Sequence, residues 1–99
     1  MAKPLFNPTF GNLERAMEIA TRRQETISHN IANANTPGYE ALTFDEQLMQ
    51  AVKRLDKKDV VLEEELASLT DNSIKYSAYV KMLSSKFGVL RTVVSQGRR

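Results

Sequence analysis

The chain has 99 residues, with 14 Lys and Arg against 12 Asp and Glu, a single His and no Cys. A chain of this length forms one domain at most with a thin core, and the lack of Cys excludes disulfide frameworks and thiolate metal sites. Its formal charge of +2 comes from interspersed charges and not from a basic block, which argues against nucleic-acid binding.

The first predicted element is a long amphipathic helix over residues 7–34. Asn7 followed by Pro8 is typical of a helix N-cap with proline at the first helical position. Apolar residues then recur every three or four positions, which defines a heptad seam that packs against a partner helix. The seam residues are Phe10, Leu13, Met17, Ala20, Gln24, Ile27, Ile31 and Ala34, with Gln24 as the polar member.

This helix is predicted to stop within the asparagine-rich stretch "NANTPG", residues 33–38. Asparagine favours caps and turns over helix interiors, and Pro37 moves Thr36 out of the α region. A Pro-Gly pair suits the centre of a type II turn, with Gly38 at the position that needs a positive φ. We therefore expect a helix end followed by a tight turn.

A turn, a short helix and a loop are predicted for residues 35–61. Thr43 and Glu46 have the spacing of a capping box, and the run "DKKD" at residues 56–59 is typical of a loop. The short helix would begin near Thr43 and carry its apolar residues on one face, namely Phe44, Leu48, Ala51 and Leu55.

The last predicted element is a long helix over residues 62–96. Glu63, Glu64 and Glu65 occupy its first turns, where their charge suits the helix dipole, and we interpret them as a solvated helix start. Its heptad seam consists of Leu62, Leu66, Leu69, Ser73, Tyr76, Val80, Leu83, Phe87, Leu90 and Val94.

No segment alternates with a period of two over a strand length, so the predicted fold class is all-α. Two long N- and C-terminal helices would pair as an antiparallel coiled coil, with a turn and a short helix between them, in a single domain over residues 1–99. The favoured register sets Gln24 opposite Tyr76, whose hydroxyl can satisfy the amide. Apolar residues off the seam, including Ile19, Ile74 and Val93, favour packing against other subunits.

The sequence offers little for catalysis, metal binding or cofactor binding. His29 is the single histidine, without a Cys or a second His to complete a nucleophile–base pair or a nitrogen-ligated metal site. We expect His29 to be partly exposed and not catalytic, and we predict no enzyme activity, no cofactor and no small-molecule substrate.

The stretch "SHNIANANTPGYEA" resembles the N-terminal signature of bacterial flagellar rod and hook proteins, and "GNLERAMEIATRRQETISHN" resembles most closely the proximal rod proteins of the FlgB type. The later stretch "VVLEEELASLTDNSIKY" is similar to the C-terminal part of that family through Val60, Leu62, Glu63, Glu65, Leu69, Asn72 and Tyr76. Val61 stands where an acidic residue is usual, Leu66 where methionine is usual, and the segment 48–59 is shorter than in most members. The signature residues are Asn30, Ile31, Ala32, Asn33, Asn35, Thr36, Pro37, Gly38 and Tyr39.

The resemblance implies a structural subunit that polymerises helically into the proximal rod of the flagellar basal body, the drive shaft that transmits torque across the periplasm. Its implied partners are itself, other rod proteins, and proteins at the junction of membrane ring and export gate. The signature would act in assembly. The N-terminus lacks the composition of a cleavable secretory signal, so the expectation is export through the type III apparatus without cleavage.

Two other functions stay open on the residues alone. A small helical adaptor or chaperone of a type III export system would have the same helical patterns. A small nucleic-acid-binding bundle is the third alternative, for which the best basic cluster, Arg91, Arg98 and Arg99, gives a weak footprint.

Overall fold

The computed structural model describes residues 10–97 and shows two long helices joined through a small β-hairpin. The elements in chain order are helix α1, Phe10–Ala32; strand β1, Leu42–Asp45; strand β2, Gln50–Lys53; and helix α2, Leu62–Gly97. Asn7, which carries the predicted N-cap, and the side chain of Phe10 lie outside the described part. The molecule is elongated, with extents of 66 × 28 × 17 Å.

The segment between the helices is a β-hairpin, so the predicted all-α fold class and the predicted short helix are wrong. Strands β1 and β2 pair antiparallel, with Thr43 opposite Val52 and Phe44 opposite Ala51. Both Thr43 and Val52 are β-branched, and such cross-strand pairs stabilise strands. The spacing that predicted the helix was satisfied by chance, since Leu48 and Leu55 are 59% and 94% exposed while Phe44 is buried.

The hairpin turn is made by Asp45, which the predicted helix would have placed in its first turn. The Oδ1 atom of Asp45 accepts the backbone N–H groups of Gln47 at 2.9 Å and Leu48 at 3.0 Å, which is an Asx turn. Met49 completes the turn in the left-handed region with φ 54°. Local side-chain bonds of this kind compete with helix formation, and here the turn prevails.

The predicted helix stop and turn are confirmed. Helix α1 ends at Ala32, and the N–H of Tyr39 donates to the carbonyl of Thr36 at 3.2 Å. Gly38 has φ 79° at the third position of this turn and Pro37 occupies the second position, as a type II turn requires. The chain is thereby sent from the end of α1 into β1.

Helix α1 buries two residues of its predicted seam and two residues outside it, Thr26 and Asn30. Leu13 and Ala20 are buried. Other seam members are half-buried, namely Met17, Gln24, Ile27, Ile31 and Ala34.

Helix α2 meets α1 with a different flank from the one its heptad pattern predicts. The buried positions of α2 are Glu65 at 3% exposure and Asn72 at 6%, both polar. Leu69 and Leu83 of the predicted seam are half-buried, and Phe87 is 51% exposed. Five other predicted apolar seam residues of α2 are 39–49% exposed, namely Leu62, Leu66, Tyr76, Val80 and Leu90, and the side chain of Val94 lies outside the described part.

Asn72 shows that the helix register also differs from the predicted one. Its Nδ2 donates to the carbonyl oxygen of Ala20 at 2.7 Å and to Oε1 of Gln24 at 3.1 Å. Gln24 therefore finds its hydrogen-bond partner about one turn earlier on α2 than Tyr76. The side-chain amide of Gln24 has a hydrogen-bond partner, as the predicted register required, but the partner is Asn72 and not Tyr76.

The left-handed backbone of Met49 gives a test that separates the hairpin from a helix. We compare Met49→Gly with Met49→Ala, because both remove the same side-chain packing. In the hairpin the glycine variant should be more stable by about 1 kcal/mol, since left-handed backbone disfavours residues with a Cβ. In a helix the order would reverse by a similar amount. Urea unfolding followed by circular dichroism measures the difference, and a more stable alanine variant would contradict the hairpin.

Candidate functional site

The buried side chain of Asn30 is the centre of the site. It is 0% exposed and lies near the end of α1. Its Nδ2 donates to the carbonyl of Leu42 at 2.8 Å and to Oε2 of Glu65 at 3.3 Å. Its Oδ1 accepts the N–H of Leu42 at 2.9 Å and the hydroxyl of Tyr39 at 2.6 Å. Both donors and both acceptor positions of the amide are thus used, and neither Asp nor Leu offers the same set.

The side-chain amide of Asn30 makes the hydrogen bonds that a neighbouring strand would make at the outer edge of β1. Leu42 is opposite Lys53, and Arg54 N–H donates to the carbonyl of Ala41 at 2.9 Å. In an antiparallel pair the hydrogen-bonded positions alternate, so the N–H and C=O of Leu42 point away from β2. The amide of Asn30 satisfies both groups, which fixes the hairpin against the end of α1.

Arg54 and Glu65 connect the hairpin to α2. One Nη of Arg54 donates to Oε1 of Glu65 at 2.9 Å and to the carbonyl of Leu42 at 3.3 Å. The Glu65 side chain is 4% exposed and that of Arg54 is 22% exposed, so the ion pair is largely removed from water. Loss of one member of such a pair leaves an uncompensated buried charge. We call the group His29, Asn30, Tyr39, Leu42, Arg54 and Glu65 the Asn30 junction.

Tyr39 and His29 form the outer part of the Asn30 junction. Nδ1 of His29 lies 2.8 Å from the Tyr39 hydroxyl, and the two ring centroids are 5.5 Å apart. The Tyr39 hydrogen is donated to Asn30, so the proton of this contact is carried by Nδ1 of His29. Burial raises the pKa of the Tyr39 phenol, Glu65 raises it further, and the Arg54 charge lowers it.

The three asparagines of the signature have three different positions. Asn30 is buried and joins elements distant in sequence. Asn33 is half-buried and caps α1, because its Nδ2 donates to the carbonyl of His29 at 2.9 Å. Asn35 is exposed.

The other signature residues form the turn and its approach. Thr36 donates its hydroxyl to Oδ1 of Asn33 at 3.3 Å, and Ile31 is half-buried. Ala32, Pro37 and Gly38 are exposed. These residues therefore form the turn itself, whereas the side chains of Asn30 and Tyr39 make the hydrogen bonds of the Asn30 junction.

Sequence reasoning missed both charged members of the Asn30 junction. Glu65 was interpreted as part of a solvated helix start, yet it is buried and bonded to Asn30 and Arg54. Arg54 had no predicted role. The usable signal was the resemblance, since Glu65 and Asn72 both belong to the stretch that is similar to the family and both are buried polar residues of α2.

The buried side chains of the site are connected by hydrogen bonds. Throughout residues 10–97, every buried side-chain nitrogen and oxygen has a hydrogen-bond partner. The same part of the chain holds no group of three or more His, Cys, Asp or Glu side chains able to bind a metal ion. None of the described helices is long and apolar enough to cross a membrane. The fold and the site together define a module of two long helices and a β-hairpin, held together by the Asn30 junction.

Comparison with known proteins finds similarity to flagellar proteins. A family model described as "Flagella basal body rod protein" matches residues 11–39, which run from the start of α1 to Tyr39. Flagellar basal body rod protein FlgB of Bacillus subtilis (strain 168) is 29% identical over 127 residues, covering 95% of this chain and 98% of the relative. FlgB of Proteus mirabilis (strain HI4320) is 25% identical over 130 residues, covering 90% of this chain and 95% of that protein.

A third relative concentrates its similarity in a shorter stretch. FlgB of Buchnera aphidicola is 44% identical over 39 residues, 39% of this chain and 29% of that protein. The alignment with the Bacillus subtilis protein is longer than the 99 residues of this chain, so that relative carries segments which this chain lacks. Over most of its length the chain is therefore similar to flagellar basal-body rod proteins.

The Asn30 junction predicts a large difference between two asparagines of one motif. Asn30→Ala removes the acceptor of the Leu42 N–H and one of the two donors to both the Leu42 carbonyl and Glu65, which keep Arg54, so the free energy of unfolding should fall by about 2 to 3 kcal/mol. The matched control Asn35→Ala should change it by less than about 0.5 kcal/mol, because Asn35 is exposed. Chemical unfolding of both purified variants measures this. Equal stabilities would show that the Asn30 bonds do not stabilise the fold.

The raised pKa of Tyr39 predicts a specific loss of stability in alkali. The fold favours the protonated phenol, so its contribution is complete below the ordinary pKa of 10.0 and is lost as pH rises through the raised value. Tyr39→Phe should remove this part of the alkaline decline in unfolding free energy, which urea unfolding at a series of pH values measures. If the alkaline decline is unchanged in Tyr39→Phe, the assignment fails.

Proposed function

We propose that the chain is a structural subunit of the flagellar basal-body rod, which polymerises helically to form the proximal drive shaft. The observation that carries this proposal is the agreement between the family match and the Asn30 junction. Residues 11–39 comprise α1, its stop and Tyr39, and their side chains hold the hairpin and α2 in place. The matched stretch therefore coincides with the part of the fold that fixes its geometry.

A torque-transmitting role is supported by how the helices are connected. A shaft subunit has to pass force between its ends without a change in the angle between its elements. The Asn30 junction joins α1, the turn, β1 and α2 by hydrogen bonds and an ion pair that are mostly shielded from water. The two long helices run side by side along an elongated body.

The proposed partners are further copies of the chain, other rod proteins, and proteins where the membrane ring meets the export gate. The proposed location is the periplasmic rod, reached through the flagellar type III apparatus. We infer one rod-protein domain over residues 1–99, because α1 contacts both the hairpin and α2. The signature residues and the helical seams are proposed to act in assembly. We propose no catalytic role.

A small adaptor or chaperone of an export system is the second candidate function. Its supporting observation is the half-exposed apolar face of α2, which a fixed dimer would also cover. The two functions differ in solution, because a rod subunit should form particles whose length grows with protein concentration. An adaptor should remain a dimer of constant size.

The function is tested by isolating flagellar basal bodies from cells that express the chain at its natural level. We expect the chain to co-purify with the rod and a deletion strain to be non-motile. Complementation with Asn35→Ala should restore motility, whereas Asn30→Ala should restore less, because the weakened junction loosens the subunit. A chain confined to the cytosol in a complex of fixed size would support the adaptor instead.

A further inference from the structure

Two rows of residues on α2 can each complete a heptad seam with a third row that lies between them. The middle row consists of Leu62, Leu69, Tyr76, Leu83 and Leu90. On one side lies the polar row, which we define as Glu65, Asn72, Tyr79 and Lys86, and on the other side lies the apolar row, which we define as Leu66, Ser73, Val80 and Phe87. Both combinations have the alternating spacing of three and four residues that a heptad seam requires. The sequence pattern of α2 therefore allows two rotations of the helix about its own axis.

The structure turns the polar row of α2 towards α1. Two members of the polar row are buried and the other two are half-buried, whereas all four residues of the apolar row are exposed. Consecutive residues of an α-helix are about 100° apart, so the two seams differ by a rotation of about 50°. Helix α2 thus adopts the rotation that leaves the apolar row in water.

Burial of apolar surface by itself would favour the other rotation. Leu66, Val80 and Phe87 would then leave water. The observed rotation instead buries the carboxylate of Glu65 and the amide of Asn72, and the burial of such groups is costly unless they are hydrogen-bonded. The hydrogen bonds of the polar row therefore select the observed rotation.

Asn72 makes the hydrogen bonds that lie between the two long helices. Its Nδ2 donates to the carbonyl oxygen of Ala20 at 2.7 Å and to Oε1 of Gln24 at 3.1 Å. A rotation of about 50° moves an atom at the helix surface by about 4 Å, which separates the donor from both acceptors. Glu65, the other buried member of the row, belongs to the Asn30 junction and lies about 10 Å earlier along α2. Asn72 thus opposes a rotation of α2 where that helix packs along α1.

We propose that Asn72 determines the rotation of α2 and thereby keeps the apolar row on the surface of the subunit. It is a positioning residue, because it acts through Ala20 and Gln24 and does not itself belong to the exposed row. Single buried amides select one register in coiled coils at a cost in stability. Here the selected property is the flank of a helix that is buried. The inference concerns the isolated chain, so it does not depend on the proposed function.

The experiment measures thiol reactivity in the purified chain, which naturally contains no Cys. Val80→Cys places the reporting thiol in the apolar row, where the natural side chain is 39% exposed. Thr70→Cys places the reference thiol on the exposed far side of α2, which stays in water in both rotations. The rate of modification by a maleimide reagent is measured for each thiol. The ratio of the rate for Val80→Cys to the rate for Thr70→Cys reports the rotation of α2.

Asn72→Asp is the test substitution, since a carboxylate has nearly the shape of the amide but has no donor. We expect the ratio to fall on the order of tenfold, because the apolar row turns inward and a buried thiol reacts slowly. Gln24→Glu is the matched control: it makes the same chemical change in the partner side chain but keeps an acceptor for Asn72. This control should leave the ratio unchanged.

The other outcomes overturn the proposal. An unchanged ratio in Asn72→Asp would show that the Asn30 junction holds the rotation alone, and a raised ratio would show a loosened helix in place of a rotated one. An equal fall in Gln24→Glu would assign the effect to charge. Circular dichroism shows whether Asn72→Asp folds. If it does not fold, Asn72→Ala is measured in its place, because it removes the donor without adding a charge, and then only a fall in the ratio supports the proposal.

Discussion

The side-chain amide of Asn30 is the interaction on which the rest of the structure depends. It is fully buried, and its four hydrogen bonds reach the turn, strand β1 and helix α2 from the end of α1. Apolar contacts are not directional and would tolerate several relative positions of these elements. A buried amide tolerates only one relative position, because any shift leaves a donor or an acceptor unsatisfied at a cost of about 1 to 3 kcal/mol. The hairpin, the Arg54–Glu65 pair and the start of α2 are all arranged around this requirement.

The small core of the chain explains why polar bonds have this importance. Among the described residues the buried apolar side chains are Leu13, Ala20, Ala41 and Phe44, and there are as many buried polar ones: Thr26, Asn30, Glu65 and Asn72. Such a core contributes limited hydrophobic stabilisation, and two of its four members are alanines. Buried polar groups add little net stability but select one arrangement. Asn72 does so between the helices, as Asn30 does at their end.

The small core leaves an apolar face of α2 exposed. Residues that a monomer would bury stay half-exposed, because α1 contacts the polar flank of α2. This division is consistent with the proposed rod subunit: polar bonds fix the internal geometry, and apolar surface remains for neighbours. Rigidity inside the subunit and adhesion between subunits then depend on different residues.

Local rules in the sequence determined several features by themselves. The end of α1, the Pro-Gly turn with Gly38 at positive φ, and the start of α2 follow from residue preferences that act within a few positions. The resemblance in "SHNIANANTPGYEA" likewise marked the segment that forms the site. What it did not determine was the role of each asparagine.

The tertiary structure decided the rest, because the deciding contacts join residues far apart in sequence. Residues 43–55 fit a helical spacing as well as a hairpin, and the choice depends on the amide of Asn30, twelve residues before Leu42. The heptad pattern of α2 correctly predicted a helix, but not which flank meets α1. That choice depends on bonds from Asn72 to Ala20 and from Glu65 to Asn30, and periodicity measures the spacing of apolar residues without registering such polar partners.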